Sequence, residues 1–89
     1  MQSGSPAVKT IMHQYGLTLE TVSNRAGCTL VETYKALDLR QFSRSPLLVI
    51  VKVRSAVEEE LSGCGWNGRK KALWGEFDIT LAQLLEAKR

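Results

Sequence analysis

Apolar residues recur at helical spacing along most of the chain, and short polar segments containing glycine or proline separate the runs. The first run has four apolar residues at the i, i+3, i+4, i+7 spacing of one helical face: Val8, Ile11, Met12 and Tyr15. Ser5 and Pro6 before it resemble a helix cap followed by the proline that a first helical turn tolerates, and Gly16 ends the run. The pattern predicts a first helix over residues 6–15.

Residues 19–38 have the pattern of a helix-turn-helix, two helices joined by a tight turn. Val22 and Ala26 lie on one helical face, and Ser23 is small where a second helix has to cross closely. Gly27 can adopt the positive φ that ends a helix. The first helix of the motif is therefore expected to end at this glycine.

Two threonines have the positions of helix caps. Thr18 precedes the first helix of the motif, and Thr29 precedes the second. Glu32 lies three residues after Thr29, which is the spacing of a capping box. The second helix is predicted to start at Leu30, with Cys28 buried in the turn as a small apolar residue.

The second helix of the motif has an inward and an outward face. Three residues are expected to pack against the first helix: Thr33, Ala36 and Leu37. Five are expected to point outward: Leu30, Val31, Tyr34, Lys35 and Asp38. In DNA-binding helix-turn-helix proteins this outward face enters the major groove. Helix pairs joined by a glycine turn also occur in small helical domains that do not bind nucleic acid, so that alternative stays open.

Residues 47–53 are rich in β-branched side chains, which is typical of a buried strand. Ser45 and Pro46, however, repeat the arrangement of cap and proline, and apolar residues continue at helical spacing as far as Gly63. We therefore predict a helix, reached by a linker that Phe42 anchors to the core. The strand alternative corresponds to a small winged domain.

The segment after this helix contains three glycines and Asn67, which predicts a loop over residues 63–68, held in place by Trp66. The only basic triplet of the chain follows: Arg69, Lys70 and Lys71. It precedes a predicted turn at residues 72–74 that returns to the core. The triplet is interpreted as a clamp on backbone phosphate, or alternatively as a solvated loop.

A last helix is predicted over residues 78–89, with Thr80 helping to cap its start and Lys88 and Arg89 at its negative end. Its apolar residues are Ile79, Leu81, Leu84 and Leu85. They are expected either to pair two copies of the chain or to pack on Trp74 and the first helix. The predicted architecture is an all-α helix-turn-helix bundle of four to five helices, with a flexible leader (1–5), a DNA-binding domain (6–77) and a C-terminal helix (78–89).

Composition limits the range of functions. The chain has 89 residues, enough for one modest core, and its net charge of +3 permits phosphate binding without requiring it. Cys28, Cys64 and the single His13 do not form a zinc-binding pattern, so no metal or cofactor is predicted and an enzyme is not expected. The start has neither the basic residues nor the apolar run of a secretion signal, and a cytoplasmic protein with reduced thiols is expected.

The outward face and the caps give a set of candidate DNA-binding residues. The set expected to position the phosphate backbone is Thr18, Thr21, Asn24 and Arg25. The set expected to meet the bases is Thr29, Leu30, Val31, Tyr34 and Lys35. Arg40 and Arg44 are expected to flank this surface, and the basic triplet to add phosphate contacts.

The order of these elements resembles the Ner family of small phage regulators, which belongs to the λ-repressor-like domains. The resemblance covers residues 5–77 and depends on the following positions: Leu19, Val22, Ser23, Gly27, Ala36, Leu37, Leu73 and Trp74. Gly75 stands where the family motif usually has proline. The resemblance implies a five-helix DNA-binding regulator of transcription, of repressor type and of phage or prophage origin.

Two functions from different classes remain. The first is a regulator that binds double-stranded DNA, as a homodimer that reads two half-sites. The second is a protein-interaction module in which Leu30, Val31 and Tyr34 contact a polymerase subunit or another regulator. Phosphate contacts release counterions, so a steep salt dependence of binding would indicate DNA and a shallow one an apolar contact.

Overall fold

The computed structural model describes residues 6–87, which form five α-helices and one short 3-10 turn. These elements are α1 (Ala7–Gln14), α2 (Leu19–Ala26), α3 (Leu30–Ala36), the 3-10 turn (Phe42–Arg44), α4 (Leu47–Gly63) and α5 (Lys70–Ala87). Residues 6–87 contain no strand, so the all-α prediction is confirmed and the strand alternative for residues 47–53 is wrong. The predicted leader (1–5), including the Ser5 cap, lies outside the described residues.

Helix α1 is slightly shorter than predicted. Pro6 adopts an extended conformation and is the residue before the helix, not its first residue. Val8 and Met12, one turn apart, are buried, whereas Tyr15 is 40% exposed and does not join the apolar face. The chain then turns at Gly16, whose φ is 68°.

The first helix of the motif is built as its sequence predicts. The Thr18 hydroxyl oxygen accepts a hydrogen bond from the Thr21 backbone N–H at 3.2 Å, which caps α2. Gly27 ends α2 with a φ of 70°, a conformation that glycine adopts without steric cost. Val22 and Ser23 are buried, so both predicted contact positions face the core.

Helix α3 begins with the predicted capping box. The Glu32 backbone N–H donates to the Thr29 hydroxyl at 3.0 Å, and the Thr29 N–H donates to the Glu32 carboxylate at 2.9 Å. The three predicted inward residues are buried: Thr33, Ala36 and Leu37. Cys28 is only half-buried, because it lies at the edge of the turn between α2 and α3.

Helix α4 runs to Gly63 as predicted, but the predicted cap is wrong. Pro46 is the residue before the helix, and no side chain caps it, because Ser45 lies one position too early. Val53, Val57 and Leu61 face the core at intervals of four residues.

The C-terminal part differs most from the prediction. Lys70–Ala87 is one continuous helix, so the predicted turn at residues 72–74 and the separate helix beginning at residue 78 are wrong. Gly75 adopts helical backbone within α5. Thr80 is not a cap, because its hydroxyl donates to the Glu76 carbonyl at 2.8 Å, one turn earlier in the same helix. Lys88 and Arg89 lie outside the described residues.

Aromatic contacts join the two halves of the bundle. The Phe42 ring meets the Phe77 ring edge-on with centroids 5.0 Å apart, which confirms Phe42 as the anchor of the linker. Trp74 packs edge-on against Phe77 at 5.7 Å and donates a hydrogen bond to the Glu58 carboxylate at 2.7 Å. Helix α1 packs on α5, and α2 and α3 pack on α4. The outward side of α3 is left at the surface.

Candidate nucleic-acid interface

The outward side of α3 carries large apolar side chains at the surface. Leu30 is 52% exposed, Val31 61% and Tyr34 44%, and Lys35 is exposed beside them. We call these four residues the α3 face. Asp38, the fifth residue expected to point outward, is half-buried instead of exposed, and its carboxylate accepts a hydrogen bond from the Gln41 side chain. Exposed apolar side chains grouped in this way are typical of interaction surfaces.

Helix α1 contributes a cation to this surface. The Lys9 ammonium lies 4.8 Å from the centre of the Tyr34 ring, within the range of a cation–π contact. Sequence reasoning missed Lys9, since no local signal indicates that α1 approaches α3. The contact places the Tyr34 ring beside α1.

A groove runs between α3 and the segment that leads into α4. Its volume is about 260 Å³, and its lining residues are Val31, Glu32, Lys35, Gln41, Arg44, Ser45, Pro46 and Val49. Arg44 and Lys35 thus line the same depression. Arg40 is exposed shortly after α3 ends, and its charge acts on the carboxylate of Asp38.

The two carboxylates near the α3 face are held in local hydrogen bonds. The Glu32 carboxylate belongs to the capping box of α3. The Asp38 carboxylate accepts from the Gln41 side-chain amide at 2.6 Å and from the Arg40 backbone N–H at 3.3 Å. The hydrogen bond from Gln41 contributes most to lowering the pKa of Asp38 below its usual value.

The cations around α3 are not neutralised by ion pairs. Within residues 6–87, the basic residues with a carboxylate in ion-pair distance are Arg25, Arg54 and Lys70. The cations at the α3 face, Lys9, Lys35, Arg40 and Arg44, are not among them. The region around the α3 face thus has four basic residues and two carboxylates, those of Glu32 and Asp38, and this excess of positive charge suits a polyanion.

The structure places Arg25 differently from the other candidates. Its guanidinium donates to Glu59 at 2.9 Å and to Glu60 at 2.6 Å, and these bonds, that to Glu60 first, raise the pKa of Arg25. Its charge is thereby balanced by α4. Thr21 lies next to Thr18, with their hydroxyl oxygens 3.1 Å apart, and Asn24 is exposed on α2.

The basic triplet is not brought together with the α3 face. Lys70 is 3.5 Å from Glu58 of α4, and Lys71 lines a groove with Arg54 and Trp74. In the described part of the chain these contacts are all with α4 and α5. The triplet thus forms a second basic region on the α4 and α5 side of the bundle.

His13 is exposed on α1, and Cys28 and Cys64 are free thiols. Residues 6–87 contain no group of three or more His, Cys, Asp or Glu that could hold a metal ion. No helix in the same range has the length and apolar character needed to cross a membrane.

Comparison of the chain with family models, with curated proteins and with solved structures found no match. Its function is therefore inferred from the α3 face and the charges around it.

Proposed function

We propose that this chain is a DNA-binding regulator of transcription that places α3 in the major groove of double-stranded DNA. One observation carries the proposal. Four cations that have no ion-pair partner among residues 6–87 lie on or near the exposed helix of a helix-turn-helix. A repressor-like role of phage or prophage type is the form suggested by the resemblance to Ner regulators.

The cations and the helix start supply phosphate contacts. Lys9, Arg40 and Arg44 flank the α3 face, where the two strands of a major groove present their phosphates. The Thr29 hydroxyl uses its oxygen to cap α3, which leaves its proton for donation to a phosphate oxygen. These contacts fix the position of the protein and carry no sequence information.

The α3 face itself reads the bases. Lys35 can donate to the acceptor atoms of guanine, and the Tyr34 hydroxyl can donate to or accept from a base edge. Leu30 and Val31 can make apolar contact with thymine methyl groups. A site that combines thymines with a nearby guanine fits this set of side chains best.

The test is selection of bound duplexes from a random DNA pool, followed by affinity measurements over a salt series. We expect a defined motif, and an affinity that falls steeply as salt rises. Lys35→Ala should weaken binding by about 1 to 2 kcal/mol without loss of fold. Lys71→Ala makes the same change of charge in the basic triplet, away from the α3 face, and should leave the affinity close to that of the unmodified chain.

Absence of duplex binding at low salt would contradict the proposal. Equal effects of Lys35→Ala and Lys71→Ala would also contradict it, because they would indicate attraction by net charge alone.

A second candidate function is favoured by the exposure of Leu30 and Val31, at 52% and 61%. These side chains also suit the apolar centre of a protein interface, with a polymerase subunit or another regulator as the partner. In that case Lys35→Ala would leave DNA affinity unchanged, and Val31→Asp would abolish binding to a partner with little dependence on salt.

A further inference from the structure

The buried stripe of α5 continues beyond the core that covers it. Trp74, Phe77, Leu81 and Leu84 follow one another at intervals of three, four and three residues, the spacing of a helix that packs lengthwise on another helix. Trp74 is 4% exposed and Phe77 is fully buried. Leu81 and Leu84, further along the same stripe, are 41% and 40% exposed. No residue of 78–87 is buried.

Helix α4 supplies a second apolar wall beside this stripe. Leu47 is 75% exposed and Val51 53%. Both line a groove of about 370 Å³ between α4 and α5, whose lining also includes Ile50, Leu81 and the ion pair of Arg54 and Asp78. We call Leu47, Val51, Leu81, Leu84 and Leu85 the α4–α5 apolar surface.

The end of α5 requires additional packing. A helical segment of ten residues is marginal in water unless one of its faces is covered. Residues 79–85 contain no ionisable side chain, so neither charge pairs nor solvation of charges stabilises this segment. The five side chains expose on the order of 500 Å² of apolar surface, near the upper end of the largest patch on a typical monomer.

We infer that the α4–α5 apolar surface binds a second copy of this chain. Leu84 and Leu85 are exposed on α5 beyond the groove that Leu47 and Val51 line, so in a twofold pair the end of each α5 can lie in the groove of the other copy. Two copies bury on the order of 1,000 Å² through these side chains, and the surrounding rim brings the contact into the range of a weak specific dimer. Residues 79–85 carry no charge, and the two charged residues that line the groove, Arg54 and Asp78, pair with each other at 3.3 Å, which disfavours a partner recognised by charge.

The dimer surface adjoins the candidate DNA interface. Ser45 lines both the groove beside α3 and the groove between α4 and α5. The dimer contact and the candidate DNA interface therefore lie next to each other on each copy, and a homodimer offers two α3 faces to two half-sites. Only this consequence rests on the proposed function, because self-association is measured without DNA.

The experiment is sedimentation of the full chain over a range of concentrations, from micromolar to millimolar. We expect a reversible monomer–dimer equilibrium. Leu84→Glu places a charge in the apolar contact and should weaken association at least about tenfold. Ile79→Glu is the matched control, since Ile79 is 61% exposed but lies on the opposite side of α5 from Leu81. It should dimerise like the unmodified chain.

Val51→Glu provides an independent variant on α4 and should also weaken association, and circular dichroism checks that each variant is folded. A chain that stays monomeric over the whole range would overturn the inference. So would a dimer that Leu84→Glu and Val51→Glu leave intact, or one that Ile79→Glu disrupts equally. Duplex binding is assayed separately, so failure of dimerisation is distinguishable from failure of DNA recognition.

Discussion

The guanidinium of Arg25 and the carboxylate of Glu60 form a charged hydrogen bond of 2.6 Å that joins the end of α2 to the last turns of α4. Glu59 adds a second bond to the same guanidinium at 2.9 Å. The helix-turn-helix is thus attached to its supporting helix by a cation that the sequence had suggested for phosphate. Because two carboxylates already balance the charge of Arg25, a contact between Arg25 and a DNA phosphate is less favourable.

This arrangement predicts that Arg25 contributes to stability more than to binding. Arg25→Met should lower the midpoint of thermal unfolding slightly at low salt, and the difference should shrink as salt screens the exposed pair. Duplex affinity should change much less than with Lys35→Ala. A loss of affinity equal to that of Lys35→Ala, with unchanged stability, would assign Arg25 to the DNA interface instead.

The capping box of α3 predicts a measurable cost of losing the Thr29 hydroxyl. Thr29→Ala removes the acceptor of the Glu32 N–H and should lower the free energy of unfolding by about 1 kcal/mol in urea titrations. Thr10→Ala is the control, because Thr10 is exposed inside α1, where alanine is the better helix former. Equal effects at the two positions would show that the cap is not what stabilises α3.

Gly27 tests the turn between the two helices of the motif. Its φ is 70°, and a Cβ added there would have no atom within 4 Å, so the cost of a substitution comes from the backbone alone. Gly27→Val should lower the free energy of unfolding by more than about 1 kcal/mol, and Gly27→Asn by clearly less, since asparagine tolerates this conformation.

The control for Gly27 is Gly63→Ala at the end of α4. That site is also open, but its φ is not positive, so alanine should be tolerated there. If Gly27→Val were as stable as the unmodified chain, the turn would not depend on the glycine.

These sites show which features the sequence can predict. Thr18, Gly27 and the pair of Thr29 and Glu32 act within one helical turn, so their spacing alone predicted both helices of the motif. The continuity of α5 depends on packing: Gly75 disfavours a helix by intrinsic propensity, and the burial of Trp74 and Phe77 against the rest of the core overrides that preference.

Contacts between distant parts of the chain were not predictable in this way. Lys9 meets Tyr34, and Arg25 meets residues more than thirty positions further on, only because the helices pack as they do. The continuous apolar stripe on α5 was likewise not predictable from the sequence. Leu81 and Leu84 were recognised as apolar, but their alignment with Trp74 and Phe77 follows only when residues 70–87 form one helix.

The hydrogen bonds at Asp38 predict a dependence of stability on pH. The pKa of Asp38 is lowered in the folded chain, chiefly by the hydrogen bond from Gln41, so the folded state favours the ionised carboxylate. This contribution is present above the pKa of an unfolded aspartate, about 3.9, and is lost as the pH falls through the lower folded value. Asp38→Asn should therefore lower the free energy of unfolding at neutral pH, by about 1 kcal/mol or less.

The difference in the free energy of unfolding between the unmodified chain and Asp38→Asn should decrease as the pH is lowered. Protonation of Asp38 removes the same charge that the substitution removes. Urea titrations at about pH 6 and about pH 2.5 measure the two limits. In a Gln41→Ala background the effect of Asp38→Asn at neutral pH should be smaller, since the main donor to the carboxylate is then absent. A difference that is independent of pH, or unaffected by Gln41→Ala, would show that Asp38 stabilises the end of α3 by some means other than its charged hydrogen bond.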